Sequence, residues 1–191
     1  MRYIYTFLLA TGLAACALSP QVVVVNPELK VAANASNAKP ISISIEVVDT
    51  RSSVIIGQRG GLYAETSDIS TDENMAATLQ RNVSRAFSEL GYVAAKKGEV
   101  ADVSLTIRII NISYAANTEK KILKNIETKL EISAVCRKND KEFTGSYSSV
   151  RKKDLITSPS EQENEQLVNA AFSAVLETML QDTDLITFID E

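Results

Sequence analysis

Asp49, Arg51 and Arg59 bring one carboxylate and two guanidinium groups into a short stretch of the chain. Guanidinium groups grip charged partners through paired hydrogen bonds, so these three are candidate partner-binding residues; the same set also suits an ion pair that pins a loop. Glu161, Glu163 and Glu165 repeat carboxylates at alternate positions, the groups that sugar-cleaving enzymes use in pairs. They fall at the start of a helical pattern, however, where the backbone dipole favours negative charge. Gly57-Gln58-Arg59-Gly60-Gly61 has the glycines of a phosphate loop without its lysine or its spacing, which leaves backbone freedom as the plainer reading. The chain has no histidine. Ser-His-Asp and Cys-His nucleophiles, histidine-held zinc and the usual neutral-pH base are therefore excluded. No spacing argues for an enzyme, a metal or any other cofactor.

Two cysteines occur, Cys16 and Cys136. Ahead of the first, Arg2 precedes an apolar stretch from Tyr3 to Leu9, and small residues then run to Ala15. This is the layout of a secretory signal peptide and is too short to span a bilayer. Leu13-Ala14-Ala15-Cys16 is similar to a bacterial lipobox, which implies cleavage before Cys16 and lipidation of its thiol. Two lipid signals already anchor a protein stably, and the three chains that the resemblance implies would hold it permanently. Ala17 and Leu18 follow the cysteine where aspartate would imply inner-membrane retention; the resemblance therefore implies an outer-membrane protein facing the periplasm. Cys136 lies on the apolar parity of a strand pattern and reads as a small buried hydrophobe.

The chain of 191 residues is 45% hydrophobic and 23% charged, enough for one packed core. Its net charge is −4, and −5 without Arg2, the one charged residue before Cys16. That balance suggests neither nucleic acid nor an anionic membrane surface as partner. The expected division is a signal peptide over 1–15, a lipidated N terminus and periplasmic tether over 16–40, and one domain over 41–191. The tether segment is rich in Ala, Asn, Ser and Pro, with a valine run, Val22 to Val25, suited to pairing at a sheet edge. Fully extended, residues 17–40 would reach about 80 Å at roughly 3.3 Å each.

At the start of the domain, Ile41, Ile43, Ile45 and Val47 alternate with polar residues and predict a strand. Ser70 with Glu73 reads as a capping box before Met75, Leu79, Val83, Phe87 and Leu90, which recur at helical spacing until Gly91. Val103 to Ile109 alternate, and the parity then changes, which predicts a bulge near Ile109. A second strand carries Ile126 to Cys136, and Lys138-Asn139-Asp140-Lys141 predicts a tight turn into a third containing Phe143, Gly145 and Tyr147. Lys120, Lys121, Lys124, Arg151, Lys152 and Lys153 would form a solvated basic rim at one end of this meander. Ser158, Pro159 and Glu161 predict a helix start, with Leu167, Ala171, Val175 and Met179 on its apolar face. Leu185 to Ile189 should fold back onto the core. The β-α-β-β-β-α order suggests an α+β fold: a small, mainly antiparallel sheet with two helices packed on one face.

Several strings within these elements carry a family resemblance. They are Ser88-Glu89-Leu90-Gly91-Tyr92, Phe143-Thr144-Gly145-Ser146-Tyr147, Gln181-Asp182-Thr183 and Phe188-Ile189, with weaker agreement at Asp49, Arg51, Gln58 and Arg59. Together with the leader and element order, they resemble the YajG family of bacterial lipoproteins. The resemblance implies an outer-membrane lipoprotein and supplies no catalytic residues. The expected function is a non-enzymatic module, attached to the membrane through Cys16, that binds another envelope protein. The alternatives are a structural subunit of a large envelope-spanning secretion or motility complex and a carrier of lipid or other small molecules. The apolar residues Val22 to Val25, Val54-Ile55-Ile56 and Leu185 to Ile189 exceed what connections need, which suits either core closure or docking of a neighbour.

Overall fold

The computed structural model describes residues 19–31, 41–59, 67–96, 98–117 and 124–191. Its elements are β1 (Gln21–Val23), β2 (Ser42–Asp49), β3 (Ile55–Gln58), β4 (Asp68–Thr71), α1 (Met75–Glu89), β5 (Val93–Ala94), β6 (Val103–Asn117), β7 (Lys124–Lys138), β8 (Lys141–Leu155), α2 (Glu161–Leu180) and α3 (Thr183–Asp190).

Strand β6 organises the sheet. One edge pairs along its length with β7, which pairs in turn with β8. The other edge is shared: β2 pairs with it from Val103 to Ile109, and β3 pairs with it at Tyr114 and Ala115. The changeover lies beside the predicted bulge, which the register shift between Ile109 and Asn111 locates. There β2 ends, with Thr50 donating from its amide and its hydroxyl to the Ile109 carbonyl at 3.2 and 2.7 Å. Beyond the fork, β5 extends β2, while β4 and then β1 extend β3.

The α+β class stands, but the mainly antiparallel sheet does not. Among the described residues the sheet has eight strands and is mixed, with β1–β4, β2–β5, β2–β6 and β3–β6 all parallel. For the pairings of β2 and β3 with β5 and β6 the reason lies in α1, which stands between them in sequence. A helix between two strands of one sheet makes a crossover, and a crossover returns the chain parallel to its start. The expected antiparallel meander is present in β6, β7 and β8, including the turn, where Asn139 takes a φ of 52°. Among the described residues there are three helices where two were expected.

One core lies between sheet and helices. Ile43 and Ile45 of β2, Leu105 and Ile107 of β6, and Leu130 and Ile132 of β7 face Leu79, Val83 and Phe87 of α1 and Val168, Phe172 and Val175 of α2. The opposite parity of these strands is largely left to solvent, so the helices do cover one face. Helix α3 folds back as expected and buries Leu185 and Ile189. Each such large apolar side chain contributes about 1.5–3 kcal/mol of burial.

Both helix starts differ from expectation. Ser70 lies inside β4, and α1 starts after Asn74, with Asp72 accepting from the Asn74 amide at 2.9 Å. For α2 the cap is Ser160, two residues past Ser158, in a complete capping box with Glu163. Of the segment expected as tether, residues 19–31 lie on the domain: Val22 and Val23 of the valine run belong to edge strand β1, and Val23 and Val25 are fully buried. Cys16 and the leader lie outside the described residues.

Candidate functional site

The fork in the sheet explains Asp49 and Arg51. Arg51 donates from Nε and Nη2 to the two Asp49 carboxylate oxygens at 2.8 and 2.7 Å, and Nη2 also reaches the Thr71 hydroxyl at 2.9 Å. The end of β2 is thereby tied to the end of β4. Burial pushes the Asp49 carboxyl up, but the hydrogen bonds and charge of Arg51 outweigh it and hold the group below its usual range. The Arg51 side chain is 6% exposed, so this guanidinium works inside the protein.

Arg59 is equally buried but belongs to a different corner. Its Nη1 donates to the Glu161 carboxylate at 3.2 Å and to the Ser19 carbonyl at 3.1 Å. A buried polar chain runs beside it. The Tyr114 hydroxyl donates to Asn164 Oδ1 at 2.6 Å, Asn164 Nδ2 donates to Gln21 Oε1 at 2.8 Å, and Gln21 Nε2 donates to the Glu161 carbonyl at 2.7 Å. Burial keeps the Tyr114 phenol protonated well above neutral pH. The three candidate residues are thus divided between two internal clusters. Thr71, Gln21, Tyr114 and Asn164 complete those clusters and were not singled out in the sequence; a lone Asn or Gln carries no spacing signal.

The other candidates take structural roles. Glu163 accepts from the Ser160 amide at 2.9 Å and from Lys153 Nζ at 3.0 Å, and these contacts lower its carboxyl to about 2. Cys136 is fully buried, and burial pushes its thiol up to about 11. Lys152 pairs with Glu127 at 2.7 Å while Arg151 is exposed; Lys120 and Lys121 lie outside the described residues. Asp182 caps α3 with one carboxylate oxygen and accepts from the Tyr147 hydroxyl at 2.6 Å with the other. Gly145, two residues from Tyr147 on the same strand face, leaves the room that this phenol fills.

What the internal bonding leaves free is an aliphatic patch. Val22 and Ile55 both stand in register with Ser70, from opposite sides of β4, and so share one face of the sheet. That face is turned away from the core, since Val23 and Ile56 are buried. Val22 is 60% exposed, Val24 56%, Val54 52% and Ile55 49%. Two segments far apart in sequence therefore place the branched aliphatic side chains of Val22 and Ile55 on one outward face of the sheet, with exposed Val24 and Val54 close by in sequence, a composition suited to contact with another apolar surface.

The fold is shared with solved structures of low sequence identity. A Xanthomonas campestris protein of the family DUF330 superposes with a TM-score of 0.55 at 14% identity, over 85% of this chain and 92% of that one. An uncharacterized protein superposes with a TM-score of 0.53 at 7% identity, over 87% and 99%. A lipoprotein of Neisseria meningitidis is similar at 16% identity over 75% and 100%, with a TM-score of 0.39. No curated protein matches the sequence. The family model for uncharacterized lipoproteins, Lipoprotein_16, matches residues 27–190, and the chain belongs to that family of lipid-anchored bacterial envelope proteins.

Proposed function

We propose that this lipoprotein is of the YajG type, is anchored through a lipid on Cys16 in the outer membrane facing the periplasm, and uses its domain to bind another envelope protein without catalysing a reaction. The observation that carries the binding role is the exposed pair Val22 and Ile55 on one outward sheet face, with exposed Val24 and Val54 close to them in sequence. Burial of such a pair by a partner is favourable by roughly 25 cal/mol per Å² of apolar surface. A non-enzymatic role is supported by how the reactive groups are used. Asp49, Arg51, Arg59, Glu163 and Asp182 are spent on contacts within the fold. A carrier would need a concave apolar space between sheet and helices. That layer is instead filled by Phe87, Leu130, Phe172 and Met179, each fully buried.

Photo-crosslinking in intact cells tests the proposal. A benzophenone amino acid at Val22 or Ile55 should yield a discrete adduct with another envelope protein, and one at exposed Gln80 on α1 should not. Monomer alone from both aliphatic positions at native abundance would remove the binding role. For the anchor, metabolic labelling with a palmitate analogue should mark the wild-type protein and not Cys16→Ser, and equal label in both would contradict lipidation at that thiol.

A further inference from the structure

The chain that leads to the anchor is held by the domain almost at once. Only Ala17 and Leu18 separate Cys16 from Ser19, whose carbonyl accepts from buried Arg59. Two residues later Gln21 is buried, with both ends of its amide bonded to α2. The following segment stays docked: the Asn26 amide donates to Asn169 Oδ1 at 2.7 Å, and the Lys30 amide donates to Glu177 Oε1 at 2.8 Å. Three residues of extended chain span about 10 Å, against the 80 Å or so of a free tether over 17–40.

We infer that the domain rides directly on the bilayer, with the end formed by Ser19, Arg59, the first turn of α2 and the last residues of β8 turned toward the lipid headgroups. The inference rests on lipidation of Cys16 as proposed above. The contacts place these parts together: Glu161 meets Arg59, and Glu163 meets Lys153 of β8. Just past β8, Ile156 is 81% exposed, and Arg151 and Lys152 are exposed beside it in sequence. An exposed aliphatic side chain at this end, with the exposed guanidinium of Arg151 five residues before it, suits the headgroup boundary, where phosphate would complement the cation. Net negative charge gives the domain no general pull to the surface; the short leash does. The turn at Asn139 and Asp140 then points away, since the 15 residues of β7 at roughly 3.3 Å each span about 50 Å. A partner reaching the Val22 and Ile55 row must therefore lie close to the same membrane.

The full lipidated chain in vesicles of phosphatidylethanolamine and phosphatidylglycerol, with a rhodamine-headgroup lipid as acceptor, provides the test. A donor dye is placed by Ile156→Cys or by Asp140→Cys; both sites are exposed, while Cys136 is buried and stays unlabelled. Energy transfer should be several-fold higher from position 156 than from 140, and a long Gly/Ser spacer inserted between Leu18 and Ser19 should abolish the difference. Equal transfer from the two positions in the unmodified chain, or more from 140, would overturn the inference. Flotation with the vesicles reads the anchor separately. Failure to float removes the Cys16 reading and this inference with it, whereas flotation with equal transfer removes this inference alone.

Discussion

The meander of β6, β7 and β8 and the small unit of β1, β3 and β4 are held by different means. In the meander, neighbours in sequence are neighbours in space, and each antiparallel ladder runs the length of its strands. The small unit joins strands of three or four residues drawn from separate parts of the chain, partly in parallel. Ladders that short do not stand alone. Its position comes from Val23, Ile56 and Ile69 in the shared core, and from the side-chain bonds of Arg51, Arg59 and Gln21. Where backbone pairing is brief, buried polar contacts decide where a strand goes, and here they also decide where the anchored end of the chain leaves the domain.

The largest effect should come from the core that both regions share. Phe172 is fully buried among them, and Phe172→Ala should cost about 3–5 kcal/mol. Urea unfolding followed in both regions should then shift as one transition. Two separate transitions would mean that the small unit does not fold with the meander. Gly57→Ala should be next, at about 3 kcal/mol. A β-carbon there lands on the Tyr114 carbonyl, which is backbone and cannot swing aside. Since β3 meets β6 at this point, hydrogen exchange should rise in β1, β3 and β4 and stay slow in β7 and β8.

That contrast also explains what could be read from the residues alone. Periodicity along one element showed α1, the alternation of β6 and β7, the bulge near Ile109 and the turn at Asn139, because each is a local consequence of which side chains face the core. Parallel pairing is non-local: nothing in Ile43 to Val47 says that β6 will lie beside it after three short strands and a helix. Ser70 looked like a cap because it has glutamate three residues on, yet both its neighbours in the sheet, Val22 and Ile55, come from elsewhere in the chain. Asn, Ser and Pro between residues 17 and 40 look like tether, while the alternate burial from Gln21 to Pro27 depends on α2 being there to receive it. Asp49 and Arg51 stood out by type, but only the fork in the sheet gives them a task.

A smaller effect, about 2 kcal/mol, is expected from Asn164→Ala, which leaves the Tyr114 hydroxyl and the Gln21 amide without their partner. The loss should concentrate on the N-terminal segment, so limited proteolysis should cut within residues 19–31 before the meander is touched. Protection of that segment equal to wild type would show that apolar burial of Val23 and Val25 alone holds β1.

Glu163 gives the smallest and the most specific test, because it joins the two regions through α2. Its carboxylate caps the helix that receives β1 and pairs with Lys153 of the meander. The Ser160 amide and then Lys153 lower its folded-state carboxyl from 4.5 to about 2. A carboxyl held lower in the folded protein adds stability that is complete above the unfolded value and fades as pH falls through the folded one. The difference in unfolding midpoint between wild type and Glu163→Ala should therefore be constant from neutral pH down to about 4.5, shrink below that, and approach zero near pH 2. Lys153→Ala should narrow the same window without closing it, since the Ser160 amide still binds the carboxylate. A difference that persists unchanged at pH 2 would mean that Glu163 acts through packing of its stem, and that charge does not link the meander to the helix that holds β1.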